Sequence, residues 1–399
     1  MARRVLLHVG APKTGTSFVQ DILFTHRAEL GELGICYPAD RFDAHFLAAL
    51  DLMQLPWGGL EREARGAWER LAEEVRRWPG TAIISHEILG TASRQHVARA
   101  LASMGGAEVH LVFSARDLVR QIPAEWQENL KHRRTTSYRD FLGQVMDEQR
   151  AGALAQWFWG VQEVPDVLDR WGAALSPERV HLVTVPPSGS APLLLWERFA
   201  GVFGLDPGRF APGSRSNASL GVPEAALLRR LNKQLRDVVP SRLYRPLVRE
   251  LLVHQSLATA RASERLTVPP EVWQWASAVS RTWVEELSGR EYDVVGDLAD
   301  LIPTDPLPHV DPDRPDESAV AAVATRALSV MTTEAARLRD REAELSEMVA
   351  ELTGQLDKLR GTRTYQAKES LVAMADTNPL ARSGLRAYRR LRGRSSRST

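Results

Sequence analysis

Residues 5 to 23, Val-Leu-Leu-His-Val-Gly-Ala-Pro-Lys-Thr-Gly-Thr-Ser-Phe-Val-Gln-Asp-Ile-Leu, constrain this chain more than any other stretch. The apolar run from Val5 to Val9 has the length of a buried strand. Gly10 to Gly15 cannot continue it, and from Thr16 the apolar positions Phe18, Val19, Ile22 and Leu23 return at helical spacing. The segment therefore reads as strand, tight loop, helix.

A loop of this kind gathers backbone N–H groups at a helix N-terminus, where the macrodipole also favours negative charge. Gly10 and Gly15 let backbone approach an anion, Lys13 adds a cation, and Thr14, Thr16 and Ser17 add hydroxyls. The reading is a phosphate cradle, with a ligand-free glycine turn as the plain alternative. An ATP-binding loop of the form G-x-x-x-x-G-K-[ST] would carry its lysine at position 16. This chain has Thr16 there and its lysine inside the turn at Lys13.

Pro12-Lys13-Thr14-Gly15-Thr16-Ser17 after a strand resembles the 5′-phosphosulfate loop of sulfotransferases that use 3′-phosphoadenosine 5′-phosphosulfate (PAPS), in their bacterial-type branch. The resemblance extends over about residues 1 to 220. It implies that these six residues hold the donor's 5′-phosphate end.

Three further segments carry the likeness. Thr81 to Ser85 reads as a second buried strand and ends in His86-Glu87. Ligands of open parallel sheets collect at such carboxyl ends, and an alcohol acceptor needs a base. Ser85-His86-Glu87 resembles the family's Ser-x-Glu, which implies Glu87 as base with His86 as the other candidate; a capping acid beside a surface histidine is the structural alternative.

Glu108 to Ser114 reads as a third strand and leads through Ala115-Arg116-Asp117 into a helix. It resembles the segment that grips the 3′-phosphate, which implies Arg116, whose planar fork suits phosphate oxygens. Relatives often place a serine eight residues later; Ala124 stands there, with Arg120, Gln121 or Gln127 as candidate substitutes. Residues 215 to 221 resemble the loop that folds over the same phosphate, implying Arg215, Asn217 and Ser219; a capped loop entering a helix is the competing view.

Val180 to Val185 is a fourth strand, and strands alternating with helices argue for an α/β fold with a doubly wound parallel sheet. Isolated His8, His26 and His45 read as structural. Trp157, Phe158, Trp159 and Trp171 read as packing residues.

The 399 residues, 44% hydrophobic and 25% charged, allow one large domain plus an appendage, or two domains. We expect an α/β domain over 1–300, a Pro/Asp-rich linker over 301–319, a heptad helix over 320–362 and an Arg-rich tail over 363–399. In the heptad segment Met331, Leu338, Leu345, Leu352 and Leu359 recur every seven residues, beside Leu328, Ala335, Val349 and Leu356. A homo-oligomer through a coiled coil and a helix packed on the body are both open. Seven arginines and no acid lie in 377–399, leaving a mildly acidic remainder; the tail suits weak, non-specific contact with an anionic membrane surface or nucleic acid, with a solvated tail of no function as the preferred reading and no specific nucleic-acid partner expected.

Cys36 is the single cysteine, which excludes an intramolecular disulfide and a cysteine-rich zinc site. No signal h-region or run of about 20 apolar residues is present, so the expected compartment is the cytoplasm. The expected activity is transfer of a sulfuryl group from PAPS to a hydroxyl of a glycan, lipid or small molecule, with Glu87 and Lys13 in the chemistry and no metal required. A deviant P-loop kinase, with Glu87 or Asp117 holding magnesium, and a non-catalytic scaffold acting through the heptad helix are the alternatives.

Overall fold

The computed structural model describes residues 3–210, 219–259, 263–377 and 383–384. Six parallel strands, β1 Arg4–His8, β2 Ile35–Cys36, β3 Thr81–Ser85, β4 Glu108–Ala115, β5 Val180–Thr184 and β6 Asp293–Val295, form one sheet in the order β2-β3-β1-β4-β5-β6. The four inner strands follow the apolar runs read from sequence. The edge strands β2 and β6 span only two and three residues, too short to leave a periodic signal.

The pleat divides each strand between two helical layers. Leu6, Ile83, Val112 and Val183 share one core with Val19, Ile22 and Leu23 of helix Thr16–Thr25 and with Trp196, Phe199 and Phe203 of helix Leu194–Phe203. Against the opposite face, helix Val164–Gly172 packs on β4 and buries Leu168 and Trp171. The sheet is thus doubly wound, as expected.

Large rings fill the spaces between layers, and their polar ends are satisfied. Trp126, Trp171 and Trp196 are fully buried, and their indole N–H groups donate to Thr136 O, Leu89 O and Pro207 O at 3.1, 3.1 and 3.2 Å. Phe158 and Trp159 are buried as anticipated, but Trp157 stays half-exposed.

From β1 the chain crosses towards β2 and β3, whereas β4 leads away on the other side. The connections therefore diverge at the carboxyl ends of β1 and β4, the place where doubly wound sheets collect ligands. His8 lies level with Ser85 of β3 and Val112 of β4, which brings the loops after all three strands to one edge.

Two compact units are present, Met1–Ala327 and Leu328–Thr399. The Pro/Asp-rich stretch is fastened within the first. Leu301 is fully buried, and the Asp313 carboxylate accepts the Tyr138 and Arg139 amides at 3.1 and 2.9 Å and pairs with Arg229 at 3.0 Å. Helix Glu317–Arg360 buries Val320, Val323 and Ala327 in its first turns; helix Arg363–Thr377 follows it. Most of the Arg-rich tail lies outside the described residues. Among the described residues, no helix is long and apolar enough to cross a membrane.

Candidate active site

The loop after β1 is shaped by two glycines. Gly10, at φ +130°, has the Glu87 carbonyl 3.1 Å from where a Cβ would stand. Gly15, at φ +90°, has a Leu195 methyl 2.5 Å from that point. Neither position accepts a side chain without strain. Gly15 starts helix Thr16–Thr25 with no side-chain cap, and among the described residues the amides of Lys13, Thr14, Gly15, Thr16 and Ser17 meet no acceptor. Five consecutive donors at a helix N-terminus are an anion seat.

The loop is braced from below. Ala11 N–H donates to Ser114 O at 2.8 Å, and the buried Thr14 hydroxyl donates to Ala11 O at 2.6 Å. Thr14 thus turns its hydroxyl inward and leaves only its amide for an anion. Thr16 is buried and Ser17 exposed.

Lys13, at φ +63°, donates to Glu128 of helix Leu118–Lys131. Glu128 also accepts from Arg249 at 3.1 Å, stands 3.2 Å from the His132 ring and lies 3.9 Å from Lys131. Arg249 comes from a π-helical segment, Arg245–His254. Burial pushes the Glu128 carboxyl up, but Lys13, His132, Lys131 and Arg249 more than offset it and hold the group well below the usual carboxylate range. Burial lowers Lys131 to about 8. The loop lysine is therefore oriented by a charged carboxylate.

Arg116 stands directly after β4. Its Nε donates to Gln121 Oε1 and one terminal nitrogen to Arg120 O, both at 2.8 Å, and no carboxylate lies within ion-pair distance among the described residues. Burial and the Arg120 charge lower it to about 10, so it remains charged at neutral pH. Gln121 in turn donates to Pro12 O. One fully buried amide thus ties the two candidate anion grips together.

The other candidates for the position opposite Ala124 are placed differently. Arg120 is bound to Asp117 and to the Pro186 and Val185 carbonyls, and Asp117 caps its own helix through the Arg120 amide at 2.9 Å. Gln127 accepts the Leu220 amide at 2.8 Å beside the exposed Ser219. Arg215 and Asn217 lie outside the described residues.

Glu87 opens the turn after β3, and Gln20 Nε2 donates to its Oε2 at 3.0 Å. Burial raises this carboxyl, but the charge of His86, the Gln20 amide, its own N–H and the charge of Lys13 outweigh that and leave it below its ordinary value. His86 Nδ1 accepts the Ile88 amide at 3.3 Å, which places the neutral ring's proton on Nε2. Burial lowers the His86 pKa, with Glu87 opposing. His8 and His45 are buried and hydrogen-bonded, to Ser85 Oγ at 2.7 Å and to Pro38 O at 3.0 Å.

Sequence reading missed two features. Glu125, buried beside the cradle, accepts from Gln162 at 3.0 Å; burial lifts its pKa to about 7, with Lys13 opposing and Glu128 adding to the rise. A run of aromatic contacts also links the two acids: His86 stacks on Phe46 at 5.1 Å, Phe46 meets Trp57 at 5.7 Å, and Trp57 meets Trp157 at 5.7 Å and His132 at 5.9 Å. With His86 next to Glu87 and His132 on Glu128, these contacts make a half-exposed aromatic rim running from one acid to the other. Trp57 sits in the Pro-Trp-Gly-Gly break, which has no chemical signature in sequence. Among the described residues, no cluster of His, Cys, Asp and Glu has metal-holding geometry.

No protein-family model matches this sequence, and no curated protein matches it. Among solved structures, a sulfotransferase from Alicyclobacillus acidocaldarius is similar at 16% identity, covering 63% of this chain and 97% of its own, with a TM-score of 0.38. A likeness of that size does not fix an activity.

Proposed function

We propose that this chain is a sulfotransferase that moves a sulfuryl group from PAPS to an acceptor hydroxyl. The observation that carries the reading is the row of five amides beside Lys13 that meet no acceptor among the described residues, one bridging glutamine away from an arginine with no acid partner among them. A nucleotide with separated phosphates needs two such grips; a triphosphate chain would ask for a lysine at position 16. The kinase alternative is also disfavoured at Asp117, which is engaged by its own helix.

In this reading the acceptor oxygen bonds to sulfur as the bond from sulfur to the 5′-phosphate oxygen breaks, and adenosine 3′,5′-bisphosphate leaves. Glu87, ionised at neutral pH, takes the acceptor proton. His86 Nε2–H orients the acceptor. The loop amides and Lys13 stabilise charge growing on the leaving phosphate, electrostatic assistance built into the fold. Arg116 holds the 3′-phosphate and Gln121 holds Arg116. The direct test is calorimetry: adenosine 3′,5′-bisphosphate should bind without magnesium, whereas magnesium-dependent ATP binding in its place would overturn the proposal.

The aromatic rim supplies a face for the acceptor. Trp57→Ala is expected to raise acceptor KM about tenfold while leaving donor affinity and kcat within about twofold, and Trp57→Phe should recover most of the loss. Initial rates over an acceptor concentration series would show it.

Glu125 gives donor binding a pH dependence. Its carboxyl, raised to about 7, gains negative charge next to the anion seat as pH rises through neutrality. Between pH 6 and pH 8 the affinity for adenosine 3′,5′-bisphosphate should therefore fall several-fold in wild type relative to Glu125→Gln, which lacks the titrating group. The same variant should gain thermal stability over wild type as pH rises from 5 to 8. A folded pKa above the unfolded one means that ionisation destabilises the fold at high pH.

A further inference from the structure

Helix Glu317–Arg360 is 44 residues long, and among the described residues most of its apolar stripe beyond Ala327 is exposed. Leu338, Leu345, Leu352 and Leu359, at successive heptad d positions, are 47, 46, 53 and 61% exposed; Leu328, Val349 and Leu356, at a positions, are 66, 61 and 51% exposed. Single exposed leucines are ordinary, but a continuous a/d seam of this length is not.

We propose that this seam binds a second copy of the same chain as a parallel two-stranded coiled coil. The inference is independent of the sulfotransferase reading. The charge pattern is complementary to itself in parallel register: Glu334 at g faces Arg339 at e of the other helix, twice by symmetry. Glu342, the polar residue at an a position, packs in that register against Arg341 at the partner's g position. Among the described residues each pairs within its own helix, Glu342 with Arg339 and Arg341 with Glu344. The e row, Thr332, Arg339, Ser346, Thr353 and Arg360, contains no acid, so an antiparallel pairing of e with e gains no attraction, and the antiparallel register that sets Glu334 against Arg341 at g pairs only the first half of the seam, whereas the parallel register pairs all of it. Leucine at d with valine at one a position suits two strands, and a lone polar a residue fixes register at a cost in stability.

Light scattering of the full chain should give twice its 44.4 kDa mass. Leu345→Glu with Leu352→Glu should give the monomer with the body's melting temperature unchanged, because both sites are exposed. Glu342→Leu should tighten association at least tenfold. Leu338→Cys should cross-link to itself on mild oxidation, since d meets d only in the parallel arrangement and Cys36 is buried. A wild-type chain that stays monomeric at about 100 μM overturns the proposal, as does a dimer indifferent to the double substitution. A dimer whose Leu338→Cys variant does not cross-link overturns the parallel arrangement.

Discussion

Lys13→Ala should lower kcat by about two to three orders of magnitude, the usual loss when one preorganised donor to a developing oxyanion is removed. The substitution acts twice. It removes the loop's own cation, and it leaves Glu128 with one counter-charge fewer. The second effect adds a negative potential at the proposed phosphate seat, so donor affinity should fall along with turnover. Lys13→Arg tests the distinction, since it restores the charge to Glu128 while misplacing the donor atom; affinity should return in part and kcat should not. Single-turnover rates with calorimetric donor binding give both numbers. Undiminished transfer by Lys13→Ala would remove this lysine from the chemistry.

Glu87→Gln should cost about two to four orders of magnitude in kcat, the range for loss of a general base, with donor affinity near wild type. The amide keeps the shape and can still meet Gln20, so folding is not at issue. The pH profile is the sharper readout. Because the carboxyl is held below its ordinary value, the ionised form persists through neutral pH, and the limb it governs lies below the usual carboxylate range. Activity should be lost as pH falls through that region. A limb near 7 that vanishes in Glu125→Gln would instead assign the proton transfer to Glu125. If His86→Asn cost the larger factor and Glu87→Gln little, the roles given to this pair would be exchanged.

The centre of the fold was readable because its signals are local. Val5 to Val9 and Gly10 to Gly15 dictate a strand and a turn whatever surrounds them, and the other inner strands declare themselves as apolar runs between breakers. What escaped was set by distant partners. Glu125 is one helical acid among several until burial and Gln162 single it out. The Gln121 bridge exists only because the loop and helix Leu118–Lys131 meet at the sheet edge. Trp57 gains meaning from Phe46, Trp157 and His132, at separations no periodicity links. The Pro/Asp-rich stretch looks like a spacer by composition, yet Asp313 pins it to two amides and an arginine.

The amide of Gln121 has a thermodynamic meaning as well as a structural one. In the proposed reading, because it joins the β1 loop to the β4 arginine, a donor seated in one is already positioned for the other, and its tumbling is surrendered once. Its second charged end then engages at an effective concentration of millimolar or more, while a fragment carrying either end alone forgoes that advantage. On that reading, discrimination among nucleotides is a matter of span, and shortening this side chain by one methylene in Gln121→Asn would blunt it.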